Sequence, residues 1–270
     1  MELNQSTQVG DLLREWRHRR RLTQLDLALD AEMSQRHLSF IELGRAKPSR
    51  EMILRLCEKL DVPLRERNVL LVTAGFAPDF PERSLDDSSL AAAHRAIDSM
   101  LLGFEPNPAF VIDRHWTIVK LNKAGRFLLE MVDLSLLEPP MNMLRIALHP
   151  KGLAQRILNY TEWRKHILEY LSRQVELTAD LFLVELAEEL KSFAQPEAAE
   201  FFSPASPDTE PTPIAIGLCL KLEMGVASFF VTTTVFGTPI DVTLSELAIE
   251  TFFPADAETA QILRQIQSSY

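Results

Sequence analysis

Between residues 9 and 60 apolar side chains recur at helical spacing in four short segments, and three of these open on Thr23, Ser34 or Ser49, hydroxyl residues suited to capping a helix. Helices this short are marginal alone in water, so the four must pack on one another. Val9, Leu12, Leu13 and Trp16 form the first stripe, and Arg14, Arg17, Arg19, Arg20 and Arg21 accompany and follow it. Thr23, with Asp26 three residues on, makes a capping-box-like start for a second helix that carries Leu25, Leu27 and Ala28. Ser34 heads a third, whose inward residues are Leu38 and Ile41 and whose stop is Gly44. Ser49 heads a fourth, with Ile53, Leu56, Cys57 and Leu60 on one side, so that Cys57 reads as a small buried hydrophobe.

Two short helices joined by a tight turn, the second offering polar side chains outward, form the helix-turn-helix arrangement that lays its second helix in a major groove. The outward set on the third segment is Gln35, Arg36, Ser39 and Phe40. Gln can bond adenine through two atoms, Arg can bond the O6 and N7 of guanine, and an exposed Phe can touch a thymine methyl. Arg45 and Lys47, just past Gly44, are placed to hold phosphates and fix register. A merely solvated helical bundle also displays Gln, Arg and Ser. The agreement of caps, spacing, the small Ala28 and the Gly44 stop favours the DNA-reading alternative.

Charge supports a local basic face. The formal net charge is −10, yet residues 9–59 hold 11 Lys and Arg against 8 Asp and Glu, whereas residues 86–270 hold 14 against 25. An acidic body with one basic region repels a polyanion except at that region, which favours a single docking orientation.

The stretches LTQLDLA at 22–28 and MSQRHLSFIELGR at 33–45 resemble the Xre/phage-repressor family of DNA-binding domains, over about residues 9–75. The resemblance implies that Gln24 bonds a phosphate, that Ser34 stands at the cap beside the DNA, and that Gln35, Arg36, Ser39 and Phe40 face base edges. One position departs from the family: Glu32 stands where the turn usually has Gly, and a left-handed backbone there would cost about 1 kcal/mol.

Residues 77–89, APDFPERSLDDSS, carry prolines, acids and serines without apolar periodicity and read as a linker. The expected division is a DNA-binding domain over 1–78, a linker over 79–87 and a second domain over 88–270. In the second domain a helical stripe from Leu90 to Phe104 precedes AFVID and TIVKL, a hairpin across Arg114, His115 and Trp116. A helix follows from Asn122, two more occupy 151–172 and 179–194, and proline-containing loop material fills 196–213. IAIGLCLKLE, VASFFVTTTVFG and ELAIETFF are rich in β-branched and aromatic residues and read as strands, with Asp256 capping a last helix. The fold class is therefore α+β: an all-α bundle, then a PAS-like antiparallel sheet with helices on one face.

EPNPAFVIDRHW, LNKAGRFLL, HPKGLAQRILNYTEWRKHIL and VFGTPIDVTLSELAIETFFPADAET together resemble the ligand-binding domain of MmyB-like transcription regulators, over about residues 88–265. Asn107 departs from it, since an aromatic residue commonly lies between the two prolines. The resemblance implies a cavity for a small apolar, fatty-acid-like molecule between sheet and helices. Candidates for its lining are Phe110, Ile112, Trp116, Ile118, Phe127, Leu128, Met131, Met143, Leu144, Ile157, Phe182 and Phe230, although a single residue of this kind is more often ordinary core, so the cavity rests on the resemblance. Asn122 and Asn159 are candidates for a head-group contact or for satisfying backbone at element junctions.

Catalytic signatures are absent from the sequence: there is no GxSxG, HExxH, GxxxxGK[ST] or strand-following GxGxxG. His94, His115, His149 and His166 lack paired metal-ligand spacing, Glu185, Glu188 and Glu189 read as a solvated helix face, and Cys57 and Cys219 lie in no CxxC. No cofactor, metal or membrane insertion is expected. The combined expectation is a cytoplasmic homodimeric transcription regulator that binds double-stranded DNA and senses a small apolar ligand, with a ligand-free dimerisation scaffold as the alternative for the second domain.

Overall fold

The computed structural model describes residues 8–85, 87–178, 180–196, 217–237 and 239–269. The chain forms two compact units, Met1–Leu85 with Thr238–Ser245, and Asp86–Gly237 with Glu246–Tyr270.

The first unit is built on α1 Val9–Arg19, α2 Gln24–Asp30, α3 Gln35–Glu42, α4 Arg50–Lys59 and α5 Leu64–Thr73, with a further single helical turn at Val242–Ser245. The expected caps form. The Thr23 hydroxyl accepts from the Asp26 amide at 3.1 Å while the Asp26 carboxylate accepts from the Thr23 amide at 2.9 Å. Ser34 accepts from the His37 amide and Ser49 from the Met52 amide, each at 3.2 Å. Glu32 takes the left-handed conformation with φ 54°, which lets the Met33 amide close α2 onto the Ala28 carbonyl at 2.9 Å. The turn thus keeps the geometry that Gly serves elsewhere, at the expense of local strain.

Leu13, Trp16, Leu27, Leu38, Ile41, Ile53, Leu56 and Cys57 form the core of this unit. Burial pushes the Cys57 thiol up to about 12, as befits an inert packing residue. Gly10 is required by close approach: a Cβ there would lie 2.3 Å from the Ile41 carbonyl oxygen of α3. Beside this contact Arg17 on α1 reaches Glu42 on α3 with two bonds, Nε to Oε1 at 2.7 Å and Nη2 to Oε2 at 2.9 Å, both side chains buried. Arg17 also donates to the Leu22 carbonyl at 2.9 Å, and Gln24 donates to Glu42 at 2.8 Å.

Residues 74–85 form no helix or strand but are tied to this unit. The Asn68 carboxamide accepts from the Asp79 and Phe80 amides and donates to the Phe80 carbonyl. Arg50 pairs with Asp79, and Arg65 with Glu82. Arg83 meets the buried Asp241 at 2.7 Å, and the Val242 amide donates to the Pro81 carbonyl at 2.9 Å. The stretch read as a linker is therefore pinned over 79–83, and Thr238–Ser245, expected in the second domain, belongs to the first unit.

The second unit comprises α6 Ala91–Gly103, β1 Ala109–Ile112, β2 Ile118–Leu121, α7 Lys123–Leu129, α8 Met143–Leu148, α9 Tyr160–Thr178, α10 Leu181–Ser192, β3 Leu218–Leu222, β4 Gly225–Val235, β5 Ala248–Pro254 and α11 Ala257–Ser269. Its antiparallel sheet has the order β2-β1-β5-β4-β3, so the first hairpin and the last strands share a centre. This is the expected α+β architecture. α9 runs to Thr178, beyond the expected 172, and Asn142 caps the unforeseen short α8 through the Leu144 and Arg145 amides. From residue 197 onward the 196–213 loop lies outside the described residues, as does the IAI start of the third expected strand.

Removing one partner of the Arg17–Glu42 pair strands a buried charge, so Glu42→Ala should cost about 3–5 kcal/mol in urea denaturation. A double replacement, Arg17→Met with Glu42→Leu, should recover most of that loss. Burial raises the Glu42 carboxyl, but bonds from Arg17 and Gln24 and the charges of Arg17 and Arg14 outweigh it, leaving it below the ordinary value. The pair's contribution is therefore present above the unfolded carboxyl's pKa and is lost as pH falls through the lower folded one. The Met/Leu variant should show a flatter acid limb than wild type.

Candidate functional site

Two sites are built, one on each unit. On the first, α3 turns its buried residues Leu38, Ile41 and Glu42 inward and leaves Gln35, Arg36 and His37 exposed along its first turn. Ser34, Arg45 and Lys47 are exposed beside them, and Ser39 and Phe40 are half-buried. The Arg36 guanidinium lies 5.3 Å from the centre of the Phe40 ring, a cation–π contact that restrains both side chains. Gly44, with φ +67°, ends α3 and turns the chain so that Arg45 and Lys47 follow at its C-terminal side. Gln24 is only half-buried, but its amide nitrogen is engaged with Glu42, so one N–H of the group a phosphate would need is already committed. His37 was not among the sequence candidates; its place on the exposed first turn of a capped helix was the available signal.

On the second unit a cavity of about 370 Å³ lies between the sheet and α7, α8 and α9. That size lies at the lower end of the range for small-molecule sites. Alternation along the strands decides what faces it. β4 and β5 pair Val231 with Phe252 and Thr233 with Glu250, and all four line the cavity. Phe110 on β1, paired with Glu250, lines it too. α9 contributes Trp163, His166, Ile167 and Tyr170, at i, i+3, i+4 and i+7 along one helix face.

Of the expected lining residues, Phe110, Trp116, Ile118, Leu128, Met143, Leu144 and Ile157 meet around this cavity. The others lie elsewhere. Ile112 is buried in the surrounding core, and Phe127 and Met131 pack half-buried against it. Phe182 lies on the His115 ring, with centroids 4.3 Å apart. Phe230 is 43% exposed, because the alternation that turns Val231 inward turns Phe230 to the opposite face. Asn122 caps α7, accepting from the Gly125 amide at 2.8 Å and from the Ala109 amide at 3.0 Å. Asn159 bridges to β3 through the Gly217 carbonyl and the Cys219 amide. Both asparagines thus satisfy backbone at element junctions.

Sequence reasoning missed Glu250, the one carboxylate among the described residues of the lining. It is 5% exposed, and its bond from the Thr233 hydroxyl, at 2.6 Å, is the sole hydrogen bond to it among the described residues. Burial pushes its carboxyl up to about 7, against the opposing effect of the Thr233 bond. The Tyr170 phenol is raised by burial and then by the charge of Glu250. The signal in the sequence was a Glu in AIETFF, a run otherwise suited to an interior strand.

The chain thus joins a helix-turn-helix unit to a sheet unit that encloses an apolar cavity. The family model of the MmyB-like transcription regulator ligand binding domain matches residues 93–266, more than half of the chain, and the chain belongs to that family. A helix-turn-helix domain model matches residues 8–70. No match was found among curated proteins. Both families describe DNA-binding regulators and not enzymes, and the chain is a DNA-binding transcription regulator with a ligand-binding domain. Among the described residues no helix is long and apolar enough to cross a membrane.

Because the folded carboxyl of Glu250 titrates above its unfolded value, its protonated form is favoured in the native state. It imposes no loss below the unfolded pKa, a growing loss between about 4.5 and about 7, and a constant one above. Glu250→Gln should therefore gain stability relative to wild type as pH rises through that window, reaching on the order of 3 kcal/mol. Paired denaturation curves at pH 4, 5.5, 7 and 8 measure the difference.

Proposed function

We propose that this protein is a cytoplasmic, homodimeric regulator of the Xre type that reads a near-palindromic operator with α3. We further propose that a small apolar, fatty-acid-like molecule in the second unit's cavity sets its DNA affinity. The observation that carries the reading is the division of α3: Leu38, Ile41 and Glu42 fixed inward, and the exposed side chains of Gln35 and Arg36, which make no hydrogen bond among the described residues, free to face base edges. Arg45 and Lys47, and to a lesser degree Gln24 and Ser34, hold the phosphates in this scheme. A dimer is proposed because two recognition helices one helical turn of DNA apart multiply the modest selectivity of one.

The cavity of about 370 Å³ favours a sensor over a ligand-free scaffold, since a domain needed only for dimerisation gains stability by filling such space. Ligand acts on DNA binding only through different affinities for two arrangements of the protein. Genomic fragment selection with the purified chain, and native mass spectrometry for a co-purifying lipid-sized mass, test the two halves of the reading separately. No duplex preferred over heparin would end the DNA half; an empty protein with unchanged DNA affinity across added ligands would end the other.

The role assignment on α3 has its own test. Arg36→Ala should cost about 1–3 kcal/mol on the selected site and relax base preference, whereas Lys47→Ala should weaken all sequences alike and lower the salt slope by about one. Equal losses with equal slopes, measured by fluorescence anisotropy over a salt series, would contradict it.

A further inference from the structure

The cavity is almost entirely apolar apart from one end of its sheet wall. There Glu250 on β5 faces Thr233 on β4 and Phe110 on β1, and α9 sets His166 and Tyr170 over the same space. No Lys or Arg lines the cavity and no ion pair to Glu250 occurs among the described residues. A carboxyl buried this deeply with one hydrogen bond has unused acceptor capacity, and an unpaired acceptor in an apolar site is costly. A partner that brings a proton to it removes that burden. A partner that brings only negative charge adds to it.

We propose that Glu250 receives the polar end of the ligand and that this end is a proton donor on an apolar chain: a hydroxyl, an ammonium, or a carboxyl that shares a single proton with Glu250. This rests on the cavity being the ligand site. No covalent step is involved. For a fatty acid the consequence is specific: the two carboxyls must hold one proton between them, so binding weakens once both are ionised, as in other paired carboxyl sites. For an alkylammonium the sign reverses, because the ionised Glu250 is its counter-charge. A hydroxyl end tolerates both states.

The test uses the full chain, with decanoate, decylamine and 1-decanol as probes, and calorimetry or the fluorescence of the lining Trp116 and Trp163 as readout at pH 6 and pH 8.5. In wild type, decanoate should bind about tenfold or more tightly at pH 6, decylamine more tightly at pH 8.5, and decanol about equally at both. Glu250→Gln, whose amide donates and accepts at every pH, should abolish the pH dependence of decanoate and weaken decylamine about tenfold or more. An imidazole also changes charge near neutrality. His166 is retained in the Gln variant, so dependence that persists there at wild-type size belongs to His166 and overturns the assignment to Glu250.

Leu144→Trp, which fills the cavity, separates the two levels of the reading. Probes that bind wild type, lose binding in Leu144→Trp, yet ignore both pH and Glu250→Gln would refute the head-group assignment alone. Probes that bind Leu144→Trp as well as wild type, or that fail to bind wild type at all, would refute the cavity reading and this inference with it.

Discussion

The orientation of α3 in the first unit depends on a buried ion pair. Arg17 and Glu42 lie 25 residues apart, and their paired bonds at 2.7 and 2.9 Å tie the first helix to the last turn of α3. Around that pair the Gly10 backbone sits against Ile41, Leu22 gives its carbonyl to Arg17, and Gln24 gives its amide to Glu42. A buried pair is weak evidence of net stability, because desolvation cancels much of the attraction. What it supplies here is orientation, since Arg17 accepts α3 only at one rotation. At that rotation Gln35 and Arg36 face outward. An apolar pair would hold the helices together with less angular preference, which is why the Met/Leu variant is a test of register as well as of stability.

The second unit achieves its site by a different constraint, the two-residue period of its strands. Once α9 lies across the sheet with Trp163, His166, Ile167 and Tyr170 toward it, alternation along β4 and β5 turns Val231 and Thr233, with Phe252 and Glu250 opposite them, into the cavity. The same period excludes Phe230. Its side chain is as apolar as that of Phe229, which is 1% exposed, yet adjacency on a strand sends it to the other face.

These cases mark how much was readable beforehand. Caps were legible at Thr23, Ser34, Ser49 and Asp256 because a cap is a contact over two or three residues. The strands were legible in the hairpin and the late β-rich runs, whereas their order, with β5 between β1 and β4, was not, because no local pattern joins β1 to β5. α5 was not seen, since it buries Leu70 and Leu71 while exposing Val69 and Val72, so no single stripe marks it. Arg17–Glu42 was invisible because nothing local joins its members, and Gln24 looked free for phosphate for the same reason. Asn122 and Asn159 were open between ligand and backbone until their distances to amides were known. Glu250 was hidden by the question of which sheet face α9 covers, which no pattern within β5 decides. The left-handed Glu32 was the converse case: its strain could be expected, because a tight turn between two helices calls for φ > 0 at that position.

Local rules break at Glu250 as well, and the kind of break matters. Glu32 violates a backbone preference inside a turn that the surrounding helices determine, and the departure is absorbed locally. Glu250 violates the rule that a buried charge is paired, with only the Thr233 hydroxyl in compensation. A protein selected for stability alone would place Gln or Leu at that position without disturbing the pairing of β4 with β5. The carboxyl therefore makes the empty state less stable than the scaffold requires, and any molecule that delivers a proton donor recovers that difference as binding energy. Affinity gained in this way is selective by construction, because a chain of the same length with an apolar or purely anionic end fills the space and leaves the burden in place.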